Sequence, residues 1–219
     1  MRTIEVTLYQ YDELPDDKAR ERARQWWRDA SVGDNDFAEF PLNDARDWLQ
    51  AFGFDISRKD GFSWSGFWSQ GDGASFVGTF DAARFDSAAV ATLRDERPAM
   101  YKTTDGIFST CASNAAWHAF ADRVAGIVAS APTMTASLTV GNSHYCHAHT
   151  VRIECDAEPT DSDEFHTATF EAFRDLCREM MGQIYRELEA EYEYQNSDEY
   201  VIDSIRANEY EFTADGGIA

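Results

Sequence analysis

Positive charge is scarce in this sequence: 19 lysines and arginines stand against 40 aspartates and glutamates, giving a formal charge of −21. Such a surplus repels a nucleic-acid backbone, which disfavours direct duplex binding unless the few arginines gather on one face. Only Lys18, Lys59 and Lys102 are lysines. Cysteine is sparse too. Cys111, Cys146, Cys155 and Cys177 form no Cys-x-x-Cys pair, so neither a zinc ribbon nor a redox dithiol is indicated, and reduced thiols are expected. No run of about eighteen apolar residues exists to cross a membrane, and a cytoplasmic protein is expected. Phosphate-loop spacing and the Gly-x-Ser-x-Gly elbow are both missing, so nucleotide hydrolysis and serine-type nucleophilic catalysis have no motif behind them. A non-enzymatic protein without a cofactor is the expectation.

What is present suffices for a full core: 219 residues, 43% hydrophobic and 14% aromatic. Thr3 to Tyr9 alternates Ile4, Val6 and Leu8 with polar residues, the period of a half-buried strand. A helix follows from Leu14 to Arg28 with Ala19, Ala23, Trp26 and Trp27 near helical spacing. A second begins at Asn43 and stops at Gly53. Phe54 to Lys59, Phe62 to Phe67 and Ser75 to Phe85 read as strands. Asp86 is placed to cap Ser87 to Leu93, Tyr101 to Thr110 has no clear pattern, and Ser113 to Ala129 carries a helical apolar stripe. Thr133 to Val140 and a strand ending near Cys155 make a second hairpin, turned at Gly141-Asn142-Ser143. The longest helix runs from about Asp163 toward Tyr194, with Phe165, Phe173, Leu176, Met180, Ile184 and Leu188 on one stripe. A short helix at Val201 to Ile205 and an extended Tyr210 to Thr213 close the chain, and residues 214–219 are expected to fray. The fold class is α+β: antiparallel hairpins forming a sheet packed by several helices, with a long C-terminal helix. Residues 1–219 read as one domain, the alternative being a subdomain boundary near residues 98–111.

Three stretches are candidates for function. In Trp64-Ser-Gly-Phe-Trp-Ser-Gln-Gly-Asp-Gly-Ala-Ser-Phe76 a glycine turn would project Ser69, Gln70 and Asp72 between Trp64 and Trp68, a polar tip with aromatic walls. The plain alternative is a hairpin whose turn residues answer only to backbone geometry. His144-Tyr-Cys-His-Ala-His149 holds three imidazoles and a thiol within six residues. In an extended strand, however, His147 and His149 face one side and His144 and Cys146 the other, so neither set closes a tetrahedral metal site. His147 and His149 are therefore weak metal candidates, and no metal is expected. The acidic run from Glu187 to Tyr200 combines five glutamates and one aspartate with three tyrosines. Glu187, Glu189, Glu191 and Glu193, with Tyr192 and Tyr194, would offer a basic groove both charge and contact area; otherwise they are a solvated helix face.

The Trp64–Phe76 motif, the opening Met1-Arg-Thr-Ile-Glu-Val-Thr-Leu-Tyr9 and the closing Ile184-Tyr-Arg-Glu-Leu-Glu-Ala-Glu-Tyr-Glu-Tyr194 resemble a family of bacteriophage and prophage proteins often labelled antitoxins of toxin–antitoxin systems. The likeness extends through Ser197-Asp-Glu199 and residues 205–216, and fades over residues 99–130. It implies a phage setting inside a host bacterium. Joined to the charge, it gives the expectation of a phage accessory protein that binds and inhibits a host nucleic-acid-handling or defence complex, in the manner of an anti-CRISPR protein or nucleic-acid mimic. Neutralisation of a cognate toxin and metal-dependent catalysis are the alternatives. The expected partner is a host protein or complex with a basic surface, with neither nucleic acid nor membrane contacted directly.

Overall fold

The structure, a computed structural model, describes residues 6–31, 35–56, 61–141, 145–157 and 163–219; the side chains of residues 35 and 163–166 lie outside that description. The chain forms two compact units, residues 1–39 with 190–219 and residues 40–189. The divisions therefore fall at Glu39/Phe40 and Glu189/Ala190, not near residues 98–111.

The smaller unit is built on α1 (Asp17–Ser31) and α6 (Asp198–Ala207). Both are amphipathic, and Ala19, Ala23, Val201 and Ile205 close together with Tyr11, Leu14 and Phe212. Trp26 packs edge-on against Phe212 at 5.8 Å and Tyr210 at 5.1 Å, and Trp27 does so against Tyr200 at 5.7 Å. The expected opening strand is not formed over its described part. Val6 and Leu8 are exposed, and only Tyr9 pairs, in a single bridge to Phe212. The tail, expected to fray, turns back instead: Thr213 N–H donates to Gly217 O at 2.8 Å and Ala219 N–H to Glu211 O at 3.0 Å.

In the larger unit α2 (Glu39–Ala51) begins four residues before Asn43, with Pro41 in its first turn, where the missing N–H has no helical acceptor to serve. Gly53 ends it at φ +98°. Of the strands β1 (Phe54–Ile56), β2 (Phe62–Ser65), β3 (Gly73–Phe76) and β4 (Gly78–Asp81), β2 pairs β3 and β1 pairs β4, both antiparallel, and Val77 N–H, between β3 and β4, donates to Gly61 O. Part of the expected Phe54–Lys59 strand lies outside the described residues. The expected single return strand from Ser75 to Phe85 is divided at Val77, and Ala82–Arg84 is a 3₁₀ turn.

Asp86 caps α3 (Ser87–Glu96) by accepting from Ala88 and Ala89 N–H, both at 3.0 Å. The stretch without a clear pattern is a small hairpin, β5 (Met100–Lys102) with β6 (Phe108–Thr110), which leaves Met100, Tyr101, Ile107 and Phe108 exposed. It leads into α4 (Ala112–Ser130). Strands β7 (Thr135–Val140) and β8 (Val151–Asp156) complete a four-stranded sheet of order β1-β4-β7-β8, and α5 (Asp163–Gln195) follows.

Strand alternation divides this sheet into two faces. Phe54, Phe80, Leu138, Val151 and Ile153 are buried, while Thr79, Thr135, Thr139, Arg152 and Glu154 are exposed. Against the apolar face lies α5, whose Phe173 meets Phe80 at 4.6 Å and Phe54 at 5.9 Å. Leu176, Cys177, Met180, Met181, Ile184 and Leu188 continue its buried stripe. Phe165, the first residue of the expected stripe, is outside the described side chains. Trp48 of α2 stacks on Trp117 of α4 at 6.2 Å, with their planes 3° apart. Full burial of such side chains is worth about 2 kcal/mol each.

Two glycines make opposite predictions. A Cβ on Gly53 would stand 2.6 Å from Asp81 O in a left-handed backbone, whereas one on exposed Gly126, inside α4, would meet nothing within 4 Å. In urea unfolding Gly53→Ala should lose about 2 kcal/mol or more, and Gly126→Ala should gain about 0.5–1 kcal/mol.

Candidate functional site: an aromatic loop bordered by carboxylates

The seven residues from Gly66 to Asp72 connect β2 to β3, and three backbone features fix their path. Trp68 has φ +74° and Gly71 φ +94°, both left-handed. Asp72 accepts Ser69 N–H on Oδ2 at 2.7 Å, and Asp72 N–H returns to Ser69 O at 3.2 Å, closing the tip on itself. A left-handed conformation costs a residue with a Cβ about 1 kcal/mol, so Trp68 sits in a strained backbone while its side chain is 70% exposed.

Phe67 organises the rings. Trp64 stacks on it at 6.1 Å, Trp68 meets it edge-on at 5.7 Å, and Tyr185 of α5 packs against it at 5.5 Å. The Tyr185 hydroxyl donates to Gly66 O at 3.4 Å, so the helix holds the loop both at this carbonyl and at the Phe67 ring. Trp64 and Trp68 were expected to wall Ser69, Gln70 and Asp72. Instead they flank Phe67, Trp64 half-buried and Trp68 in solvent, with Ser69 and Gln70 exposed beyond them.

The glycines of the loop are positions of close approach. A Cβ on Gly71 would fall 2.4 Å from the Tyr145 ring, and one on Gly73 2.5 Å from His147 Cβ. The histidine-rich segment therefore packs on the aromatic loop. It is not the extended strand the metal argument assumed: residues 148–150 form a 3₁₀ turn, with His147 Nδ1 accepting His149 N–H at 3.2 Å. The His147 and His149 rings are 6.0 Å apart, and His144 lies outside the described residues. Among the described residues no three of His, Cys, Asp or Glu converge to hold a metal ion.

Carboxylates border the rings. Glu189 stands one turn beyond Tyr185 on the same face of α5. Burial holds the Tyr185 phenol above its usual range, and the negative charges of Glu189 and Asp72 push it the same way. Among the described residues no lysine or arginine is ion-paired with Asp72 or Glu189.

The acidic run does not form the single array read from the sequence, because 100° per residue sends successive odd positions to different faces. Glu187 turns inward. Its Oε1 accepts from Trp117 Nε1 and Gln183 Nε2, each at 2.8 Å, and from the Ser113 hydroxyl. Desolvation lifts its pKa despite those three donors, and the nearby Asp44 carboxylate adds to the rise. In the smaller unit Glu191 accepts from Gln195 at 2.8 Å, Tyr192 packs on Phe37 at 5.4 Å and Tyr194 on Tyr200 at 5.1 Å, while Glu193 is exposed. Tyr145 and Tyr185 were missed by sequence reasoning. A tyrosine four residues before Glu189 was visible on the helix pattern, but nothing local in the sequence joined either ring to residues 64–73.

An aromatic loop held by a helix, with unpaired carboxylates and no metal cluster among the described residues, has the makings of a recognition surface. The chain belongs to the family described as Domain of unknown function (DUF8835), matched over residues 37–198. That span contains the whole aromatic loop and α5. No curated protein and no solved structure matches the chain.

The pKa of Glu187 has a stability consequence. A carboxyl whose folded value is raised binds its proton more tightly when folded, so its contribution is greatest below the unfolded value and is lost as pH rises through the folded one. Stability should fall from about pH 4 upward through that window. Glu187→Gln should flatten the fall, whereas Glu187→Leu, which strands the Trp117 and Gln183 donors, should cost about 1–3 kcal/mol; urea unfolding between pH 4 and 8 measures both.

Proposed function

We propose that this chain is a non-catalytic binding protein that occupies the basic surface of a nucleic-acid-handling protein and keeps DNA or RNA from it. The observation that carries this reading is the strained, exposed Trp68 on a loop bordered by carboxylates that pair with no lysine or arginine among the described residues. A large aromatic held in solvent at a backbone cost is better suited to an intermolecular contact than to stabilising its own hairpin.

Surface charge supports the same reading. Most of the arginines are engaged within the chain: Arg97 with Asp44 and Asp47, Arg123 with Glu179, Arg206 with Asp12, and Arg24 and Arg28 with Glu21 and Asp198. Exposed pairs of this kind add little stability, but they leave few cations to offset the remaining carboxylates. The surplus would steer a positively charged partner and compete with phosphate for it. The open sheet face adds a shallow depression of about 490 Å³ lined in part by Thr79, Asp81, Arg84, Ser137, Glu154 and Asp156. There Arg84–Asp55 and Arg152–Glu154 pairs cancel part of the negative charge, so the aromatic loop is the better contact. The phage-type inhibitor suggested by the resemblance is the setting in which such competition would serve. No helix among the described residues is long and apolar enough to cross a membrane.

The test is capture of partners from nuclease-treated bacterial lysate at low and high salt, followed by displacement of nucleic acid from the captured protein. Binding should weaken steeply with salt, nucleic acid should be displaced, and Trp68→Ala should weaken both by at least about tenfold. Failure to capture a nucleic-acid-binding protein, or capture without displacement, would overturn the reading.

A further inference from the structure

The chemistry around Trp68 specifies more than a positive partner. Phe67 brings Trp68 and Tyr185 against its own ring, at 5.7 and 5.5 Å, so the three side chains form one small aromatic cluster. Glu189 shares the helix face of Tyr185, and Asp72 closes the loop that carries Trp68. After burial, the negative charges of these two carboxylates also raise the Tyr185 phenol. Neither pairs with a described basic side chain, although the chain's arginines engage carboxylates widely elsewhere.

Aromatic faces attract cations through their quadrupoles, tryptophan most strongly. A guanidinium is planar, weakly hydrated and able to stack while donating in its own plane to a carboxylate; an ammonium is compact and strongly hydrated. A ring cluster rimmed by two carboxylates therefore matches the first better than the second. We infer that the Trp68–Tyr185 surface, with Asp72 and Glu189, is a recognition site for an arginine side chain of the partner protein. This rests on the proposed function and adds to it the residue the partner must present.

The probe is the peptide acetyl-Gly-Arg-Gly-amide, titrated into the whole chain while the tryptophan indole N–H signals are followed by NMR, with Trp68→Phe identifying the signal of Trp68. A saturable shift of that signal is expected. It should vanish when citrulline, the uncharged isostere, replaces arginine, and binding should weaken at least threefold when lysine does. Asp72→Asn with Glu189→Gln keeps a carbonyl acceptor at residue 72 for Ser69 N–H, and should weaken arginine binding at least fivefold. Asp95→Asn with Glu96→Gln removes equal charge from the exposed end of α3 and should leave binding unchanged. No saturable shift, equal response to citrulline or lysine, or equal loss in the α3 variant would each overturn the assignment.

The two proposals fail separately. Partner capture that needs Trp68 while the arginine peptide does not bind would remove the arginine site alone. A bound peptide without any captured nucleic-acid-binding partner would remove the inhibitor reading alone.

Discussion

The seating of α5 on the apolar face of the four-stranded sheet is the contact on which the larger unit depends. Phe173 lies against Phe54 and Phe80, from neighbouring strands of that sheet, and the buried stripe then runs through Met180 and Ile184 to Leu188. A helix bound along its length to a sheet has little freedom to slide or rotate, because each displacement exposes apolar surface or opens a gap between close-packed side chains. The rotation fixed by that stripe decides what the remaining faces of α5 can reach. It turns Glu187 toward Trp117 and Tyr185 toward the aromatic loop, where its ring packs on Phe67 and its hydroxyl donates to Gly66 O.

Two kinds of carboxylate result. Glu187 and Asp44 are drawn out of water, and desolvation raises both despite the hydrogen bonds to one and the Arg97 guanidinium beside the other. Glu189 and Asp72 stay at the margin of the aromatic loop, where no internal arginine answers them among the described residues. The first kind fixes neighbouring helices in register, and the second leaves charge available to another molecule. Sequence composition counts all four alike, yet their chemistry is set by which side of a helix or turn each occupies.

Much of the architecture was legible because periodicity is a local property. Ala19 and Ala23 marked α1, Asp86 marked the start of α3, Gly53 the end of α2, and the spacing of Phe173, Leu176, Met180 and Ile184 marked α5. The α+β class followed from these elements. Misreadings arose where a short pattern competed with tertiary pairing: Val6 and Leu8 alternate correctly but pair with no strand among the described residues, and the return strand was cut where Val77 bonds to Gly61. The hairpin at residues 100–110 was illegible because its apolar residues face solvent, the reverse of the rule by which strands are recognised. In the site, Trp64, Trp68 and Asp72 stood out by composition, but the position of Phe67 between the two tryptophans did not.

By itself the sequence determined the acidic surplus, the helices and most strands, and the presence of an aromatic glycine-rich turn, since each depends on residue type or spacing along a few turns of chain. The tertiary structure alone decided that Tyr145 and His147 pack on Gly71 and Gly73, that Tyr185 clasps Phe67, and that Glu187 and Glu189, two residues apart, serve opposite environments. Those outcomes depend on contacts between distant segments and on the rotation of α5 about its axis, which is set by everything packed against it.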